Sequence, residues 1–258
     1  MSLTADPGHS FDRVVVCATA GTLLVQLGDG TIQPVLLTAS PQCQTIRTVV
    51  PQTSLTLTAP DAPVTVTSWA TFTGNGGVAL SNLGVVGAQL QHFARTDDAT
   101  LAEELRTYAP DLLVLAFGTN EGFVPRFDPA AYEATLRTQV ARLQALAPGV
   151  PLLVLGPPDA LSRNPALRGN ADGPATSCGS GLFAPPALEK VRQIQRRVAG
   201  ELHLAWWDWQ ARMGGPCAAA SWAAAGLMRP DHVHFRTPGA ALVARALEDD
   251  LERAAQEP

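Results

Sequence analysis

The chain has 258 residues, of which 46% are hydrophobic and 16% charged, and its formal net charge is −5. This length suffices for one α/β domain with an accessory module, and the composition is that of an ordinary globular protein. The negative charge argues against a nucleic-acid or anionic-membrane surface. No apolar run is long enough to span a bilayer, and the first residues lack the basic and apolar regions of a signal peptide.

Residues 1–77 predict antiparallel β structure. Short runs rich in Val, Thr and Leu, such as RVVVCA and VTVTSWATF, are separated by turn signals such as GDG at 28–30. No helical period appears among them. We therefore expect a partial β-sandwich, and the Gly-rich GNGG at 74–77 marks its end.

Residues 78–258 change character, because apolar runs now alternate with amphipathic helical patterns. VALSNLGVVGA from residue 78 predicts a strand and its following loop, and DLLVLAFGTN and VPLLVLGPPD predict strands buried on both faces. Strand–helix alternation is typical of a parallel sheet. The predicted fold class is therefore α/β, a three-layer α/β/α parallel-sheet core preceded by a partial antiparallel β-sandwich.

The four cysteines fall into two pairs by position. Cys17 and Cys43 lie in the β-rich part, whereas Cys178 and Cys217 lie in Gly-rich loops that flank one predicted helix. Two disulfides would indicate an oxidising compartment, and four free buried thiols are the alternative. The loop at 159–187 is long for a compact domain, which is typical of a functional or mobile segment.

Two predicted strand ends carry groups that can donate hydrogen bonds to a reacting oxygen. GVVGA contains Gly87, whose backbone N–H no Cβ would shield, and FGTNEGF contains Gly118, Asn120 and Glu121. Ligands collect at the carboxyl ends of parallel strands. Gly87 and Asn120 are thus candidates for an oxyanion hole.

The segment DHVHF, residues 231–235, places a carboxylate three positions before an imidazole. One helical turn would bring both side chains to the same side. Asp231 can then accept from Nδ1 of His234 and leave Nε2 free as a general base, while His232 would point elsewhere.

GVVGA, FGTNEGF and DHVHF together resemble three of the four signature blocks of the SGNH (GDSL-type) hydrolase family, in the same order and with similar wide spacing. The resemblance implies that His234 is the base, Asp231 its orienting partner, and Gly87 and Asn120 the oxyanion donors. Gly118 would allow the turn, and Glu121, where many members have Asp, would support the loop. The resemblance implies no metal and no cofactor.

The motif GTNE, with GPPD downstream, is similar to motifs in the bacterial branch of this family that deacetylates cell-wall sugars. In that branch a carbohydrate-binding-like β-sandwich is inserted between the first and second blocks, and residues 1–77 resemble the end of that insert. The resemblance implies an acylated carbohydrate or peptidoglycan as substrate, and a periplasmic or secreted location for a full-length parent. It implies nothing about the oligomeric state.

The first signature block, Gly-Asp-Ser, does not occur in the sequence. Ser10 and Thr19 are weak candidates for the nucleophile, since Ser10 has no apolar strand before it and Thr19 lacks the Gly-Asp. We therefore expect a hydrolase core that lacks its first strand with the serine, and is inactive alone. Loss of a central strand should also expose strand edges and reduce solubility.

Three other interpretations remain open at this point. The chain could be a non-catalytic glycan-binding protein with an inactive hydrolase core. It could be a metal-dependent hydrolase with Asp231, His232 and His234 as ligands and Glu121 or His92 completing the shell. DHVHF could also be a solvated turn without a role.

Overall fold

The computed structural model describes residues 1–74 and 76–256, so residue 75 of the GNGG segment lies outside the described residues. The strands are β1 (Ser2–Thr4), β2 (Phe11–Ala18), β3 (Gly21–Leu27), β4 (Ile32–Leu37), β5 (Gln42–Gln52), β6 (Ser54–Thr58), β7 (Val66–Phe72), β8 (Leu113–Leu115), β9 (Leu152–Leu155), β10 (Thr176–Ser177), β11 (Phe183–Ala184) and β12 (Ala205–Trp207). The α-helices are α1 (Leu90–Phe93), α2 (Asp98–Tyr108), α3 (Thr119–Gly122), α4 (Pro129–Leu146), α5 (Pro186–Glu201), α6 (Trp209–Met213), α7 (Ala218–Ala224) and α8 (Thr237–Gln256).

The chain folds into two compact units that interleave along the sequence. The first unit comprises Met1–Gly84, Thr96–Pro110 and Ala145–Pro148. The second comprises Val85–Arg95, Asp111–Gln144 and the described residues from Gly149 onward. The assignment of residues 1–77 and 78–258 to two functional domains stays a prediction.

The first unit contains two antiparallel sheets, one with the strand order β1-β6-β3-β4 and the other with the order β5-β2-β7. Alternation along the strands buries one set of apolar side chains, among them Val14 and Val16 of β2 and Val25 of β3. A disulfide joins Cys17 and Cys43, which face each other in the β2–β5 register. The expected antiparallel β structure is thus confirmed.

The second unit contains a parallel sheet with the order β12-β9-β8. Leu153 and Leu155 of β9 pack with Val243 of α8 on one face. Leu152 and Val154 are buried on the opposite face. This burial on both faces explains the continuous apolar runs in the sequence and confirms the predicted α/β class with a parallel sheet.

Helices α4 and α5 begin where local chemistry favours a start. Asp128 accepts from the backbone N–H groups of Ala130 and Ala131, both at 3.0 Å, and Pro129 is the first helical residue. Helix α5 also has a proline in its first turn, Pro186. Each helix buries one apolar stripe, as the period of the sequence predicts.

The segment 159–185 between β9 and α5 is ordered by short elements. It holds a single 3₁₀ turn (Pro165–Leu167) and the two-stranded β10–β11 hairpin. A disulfide links Cys178 of this segment to Cys217, which precedes α7. Of the two alternatives considered from the sequence, the structure has the two disulfides and not four free thiols.

The prediction of a strand from residue 78 is wrong, since residues 78–88 contain no strand. The apolar side chains of this segment point into solvent, with Val78 99% and Val86 101% exposed. A strand needs a neighbour for its N–H and C=O groups, and none of the described strands pairs with this segment. Within the described part of the chain, no helix combines the length and apolarity needed to cross a membrane.

Candidate active site

The segment DHVHF forms a turn rather than a helix, and Asp231 organises it. Asp231 Oδ1 accepts from the backbone N–H groups of Val233 at 2.9 Å and His234 at 3.0 Å. Its Oδ2 accepts from His234 Nδ1 at 3.0 Å. The carboxylate therefore fixes both the backbone and the imidazole, and Nε2 of His234 has no partner among residues 1–74 and 76–256. The two side chains approach through the backbone turn and not through the helical turn that we expected.

The carboxyl group of Asp231 is tuned by these contacts. Partial burial acts to raise its pKa, but the hydrogen bonds from His234 and Val233 outweigh this, and the pKa is lowered from the ordinary value. The group is therefore ionised at neutral pH and acts as an acceptor. Because an ionised carboxylate can only accept, the proton between the two side chains lies on Nδ1. This tautomer leaves Nε2 free to receive a proton from a nucleophile.

The turn that contains Asn120 is built around a buried carboxylate. Glu121 is 5% exposed, and its Oε2 accepts from the Gly118 N–H at 3.0 Å while its Oε1 accepts from the Leu90 N–H at 2.7 Å. Burial raises the pKa of Glu121, although the two backbone donors act to lower it. Glu121 thus joins the segment after Gly87 to the turn after β8, which agrees with a supporting role.

Gly118 is required for steric and conformational reasons. Its φ of 126° lies in the region that side chains rarely adopt, and a Cβ there would meet Val191 Cγ1 at 2.8 Å. The turn is therefore seated closely on α5.

Both expected oxyanion donors lie at the surface near this carboxylate. Asn120 is exposed, and its Nδ2 donates one hydrogen bond to the Ala88 carbonyl at 2.8 Å. In the described part of the chain, the second N–H of this amide and the backbone N–H of Gly87 have no acceptor. Gly87 has a φ of +75°, and a Cβ at this position would meet nothing within 4 Å. The bond to Ala88 brings the two segments together.

The sheet places the His234 turn and the Asn120 turn at the same end of neighbouring strands. Asn120 follows β8, and Leu161, which follows β9, donates its N–H to the His232 carbonyl at 3.1 Å. Because β8 and β9 run parallel, both turns lie beyond the carboxyl ends of the strands, where α/β sheets collect ligands. Their joint catalytic role stays a prediction.

The two weak nucleophile candidates belong to the first unit. Ser10 is exposed and precedes β2. Thr19 follows β2, and its hydroxyl accepts from the Thr65 N–H at 3.1 Å. Neither position has the Gly-Asp context of the first signature block.

The described residues do not provide the ligand set that a metal-dependent hydrolase would need. Within residues 1–74 and 76–256, no group of three or more His, Cys, Asp or Glu side chains is arranged to hold a metal ion. Both oxygens of Glu121 accept from backbone N–H groups, and His92 Nδ1 accepts from the Gln89 N–H at 3.0 Å.

Sequence reasoning missed two buried amides that hold the Asn120 turn. Gln195 of α5 donates to the Phe117 carbonyl at 2.8 Å, and Asn170 of the segment 159–185 donates to the carbonyls of Gly122 at 3.0 Å and Val124 at 2.8 Å. Nothing in the sequence marked Asn170, because an Asn between Gly and Ala in a Gly-rich loop has the appearance of an ordinary turn residue.

Comparison with known proteins identifies the relatives of this chain. A model of the GDSL-like lipase/acylhydrolase family matches residues 54–242. A solved structure titled as a peptidoglycan O-acetylesterase in action is 27% identical, with a TM-score of 0.72, and the match covers 100% of this chain and 69% of that one. No curated protein sequence matches the chain.

Other solved structures match more distantly. A lipase/acylhydrolase from Enterococcus faecalis is 17% identical with a TM-score of 0.42, over 64% of this chain and 72% of that one. An acetylxylan esterase from Geobacillus stearothermophilus is 20% identical with a TM-score of 0.41, over 62% and 66%. The family model spans well over half of the sequence, and the chain belongs to the GDSL-like lipase/acylhydrolase family of carboxylic-ester hydrolases.

Proposed function

We propose that the second unit carries the acid–base and oxyanion groups of an esterase that removes small acyl groups, O-acetyl above all, from carbohydrate or peptidoglycan. The observation that carries the proposal is the Asp231–His234 pair, joined at 3.0 Å and fixed by two further backbone hydrogen bonds. The substrate class rests on the similarity to the solved structure that is titled as a peptidoglycan O-acetylesterase.

The proposed reaction is serine acyl transfer. A serine Oγ–H gives its proton to Nε2 of His234 as Oγ attacks the ester carbonyl carbon. The oxyanion formed receives hydrogen bonds from the Gly87 N–H and the Asn120 amide, and removing one such donor typically costs about 2.7–4 kcal/mol. The sugar alkoxide leaves and takes the proton from the imidazolium. Water then hydrolyses the acyl-enzyme by the same steps in reverse order and releases the carboxylic acid.

The nucleophile is the component for which the sequence offers no Gly-Asp-Ser. In the described part of the chain β8 is the end strand of its sheet, and Val114 on it is 43% exposed. We propose that a strand ending in Gly-Asp-Ser pairs with this edge and places its serine beside His234. An unpaired strand edge is a ready template for such an addition.

The first unit and the two disulfides suggest how the protein binds its substrate and in which compartment it acts. We propose that the β-rich residues 1–77 belong to a carbohydrate-binding-like β-sandwich module, which the two antiparallel sheets of the first unit support. Two disulfides, Cys17–Cys43 and Cys178–Cys217, support an oxidising compartment such as the periplasm or the extracellular space.

The test has two stages. The chain alone is first treated with a fluorophosphonate and digested for mass spectrometry, which identifies any activated serine or threonine, including Ser10 and Thr19. A synthetic strand ending in Gly-Asp-Ser is then added, and acetate release from 4-nitrophenyl acetate and O-acetylated peptidoglycan is measured. Turnover that disappears with Ser→Ala in the added strand and with His234→Ala supports the proposal.

Strand binding without turnover would contradict the proposal. If the added strand binds, as shown by chemical-shift changes at β8, and neither ester releases acetate, the esterase proposal is wrong. Glycan binding that persists under these conditions would favour a non-catalytic glycan-binding protein.

A further inference from the structure

The Asn120 turn, defined here as residues 117–124, cannot hold its own position. Its helical part, α3, has only four residues, and isolated helices of this length are not stable in water. Asn120 itself is exposed and makes one side-chain hydrogen bond, to Ala88. The position of its amide must therefore be set by groups that hold the turn from outside.

Buried amides hold this turn at both ends. Gln195 Nε2 donates to the Phe117 carbonyl, before the turn, and Asn170 Nδ2 donates to the Gly122 and Val124 carbonyls, after Asn120. Asn170 is 3% exposed, and its Oδ1 accepts from the Ala187 N–H at the start of α5 at 3.0 Å. Its backbone carbonyl accepts from the Phe127 N–H at 2.9 Å. Every polar group of this side chain is thus used, and two of its three bonds go to the Asn120 turn.

The segment that carries Asn170 also contacts the His234 turn. Asp159, at its start, is fully buried and accepts from Gln210 Nε2 and from the Ala219 N–H, both at 2.9 Å. Two residues later the Leu161 N–H donates to the His232 carbonyl. One segment therefore contacts both turns that the proposed mechanism uses.

We propose that Asn170 is a positioning residue that sets the Asn120 amide for oxyanion binding by clamping the carbonyls of Gly122 and Val124. This inference rests on the proposed esterase function, but its geometric part can be measured without turnover. A displacement of about 1 Å at a catalytic group can cost roughly 100-fold in rate, so a clamp on this turn has direct consequences.

The test uses Asn170→Asp, which keeps the size of the side chain and the acceptor to Ala187 but replaces the NH₂ donor with an acceptor. The carbonyls of Gly122 and Val124 then face a carboxylate oxygen in place of the NH₂ donor, and both hydrogen bonds are lost. The matched control is Asn164→Asp in the same segment, where the side-chain oxygen only accepts, from the Ala166 N–H at 3.1 Å, and Asp keeps that bond.

The readout is the NMR signal of the Asn120 side-chain amide in protein labelled with ¹⁵N only at asparagine. The sequence has five Asn residues, so the spectrum is sparse, and Asn120→Asp assigns the pair by its loss. We expect the Asn120 pair to shift in Asn170→Asp and to stay in place in Asn164→Asp. On acidification the new carboxyl becomes a donor again, and the pair should move back toward its original position, which general destabilisation would not produce.

An Asn120 pair that stays unmoved in folded Asn170→Asp at both neutral and alkaline pH, where the new carboxyl is ionised, would overturn the inference. If that variant does not fold, Asn170→Ser, which retains one hydroxyl donor, gives the same two outcomes. With the added Gly-Asp-Ser strand, we expect kcat to fall roughly 10- to 100-fold in Asn170→Asp with KM nearly unchanged. Unchanged kcat would also overturn it. If the Asn120 pair shifts in Asn170→Asp while the original chain shows no turnover with the added strand bound, the esterase proposal is wrong and the positioning role of Asn170 stands.

Discussion

At the residue scale, the Asp231–His234 pair shows how one carboxylate can fix a turn and an imidazole together. One oxygen of Asp231 accepts from two backbone N–H groups, and the other accepts from the ring. The spacing of three residues predicted that the side chains would meet. It did not predict the route, because a helical turn and a side-chain-capped turn both bring positions i and i+3 together.

The lowered pKa of Asp231 predicts a specific dependence of stability on pH. A carboxyl group whose pKa is lower in the folded state than in the unfolded state stabilises the fold above its ordinary pKa of 3.8, and this contribution is lost as the pH falls through the lowered value. Asp231→Asn keeps the oxygen that accepts from the backbone but cannot accept from the ring. The melting temperature should therefore be higher for the original chain than for the variant at neutral pH, and the difference should close below pH 3.8.

Thermal unfolding followed by circular dichroism from neutral to acidic pH checks this expectation. Asp172→Asn removes an exposed carboxylate from the same unit and controls for net charge. A difference between Asp231→Asn and the original chain that persists in acid would contradict the assigned role of the carboxylate.

At the element scale, the short helix α3 is stable because it packs on α5. Gly122 allows this contact, since a Cβ there would lie 2.6 Å from Leu188 Cδ1 and 2.9 Å from Leu188 Cα. The backbone of α5 cannot move away from such an atom at low cost. The glycine is thus required by close packing and not by an unusual backbone angle.

We expect Gly122→Ala to lower the free energy of unfolding by about 1–3 kcal/mol, the usual cost of overpacking. Gly200→Ala is the matched control, because it lies in α5 with nothing within 4 Å of its added Cβ. For Gly200→Ala, the free energy of unfolding should stay the same or rise by about 0.5–1 kcal/mol, since alanine favours the helical conformation more than glycine does. Urea denaturation measures both, and equal effects in the two variants would refute the packing argument.

Apolar periodicity in the sequence predicts helices more reliably than strands in this chain. Helices α4, α5 and α8 account for the long amphipathic patterns that the sequence shows after residue 78, because such a stripe is buried most simply on one face of a helix. The strand from residue 78 was predicted from an apolar run and is absent. An apolar run favours a strand only if a neighbouring strand pairs with it, and a local pattern contains no information about the neighbour.

At the scale of the whole molecule, exposed apolar residues concentrate in residues 78–86. Val78, Leu80, Leu83, Val85 and Val86 are each at least 73% exposed within one short segment. Large apolar side chains that are exposed close together in a chain usually mark an interaction site or a risk of aggregation.

We expect the chain to self-associate through this segment as its concentration rises. Val78→Lys with Leu80→Lys should shift the protein toward the monomer in sedimentation velocity, because two charges disfavour apolar association. The control, Ile32→Lys with Leu36→Lys, adds the same charge at the exposed strand β4, where these side chains are 55% and 66% exposed. Equal dissociation by both variants would point to net charge and not to the segment.

The sequence by itself predicted the α/β class, the β-rich first part, the long amphipathic helices after residue 78 and the candidate site residues Asp231, His234, Gly87, Asn120, Gly118 and Glu121. These depend on local chemistry: turn residues, capping side chains, apolar periods and the spacing of an acid and a base. Only the tertiary structure decided that residues 78–88 form no strand, that both cysteine pairs are joined, and that Asn170 and Gln195 hold the Asn120 turn. Each of these depends on groups distant in the sequence, because backbone pairing, disulfide geometry and buried amide bonds all need a partner that the local pattern does not specify.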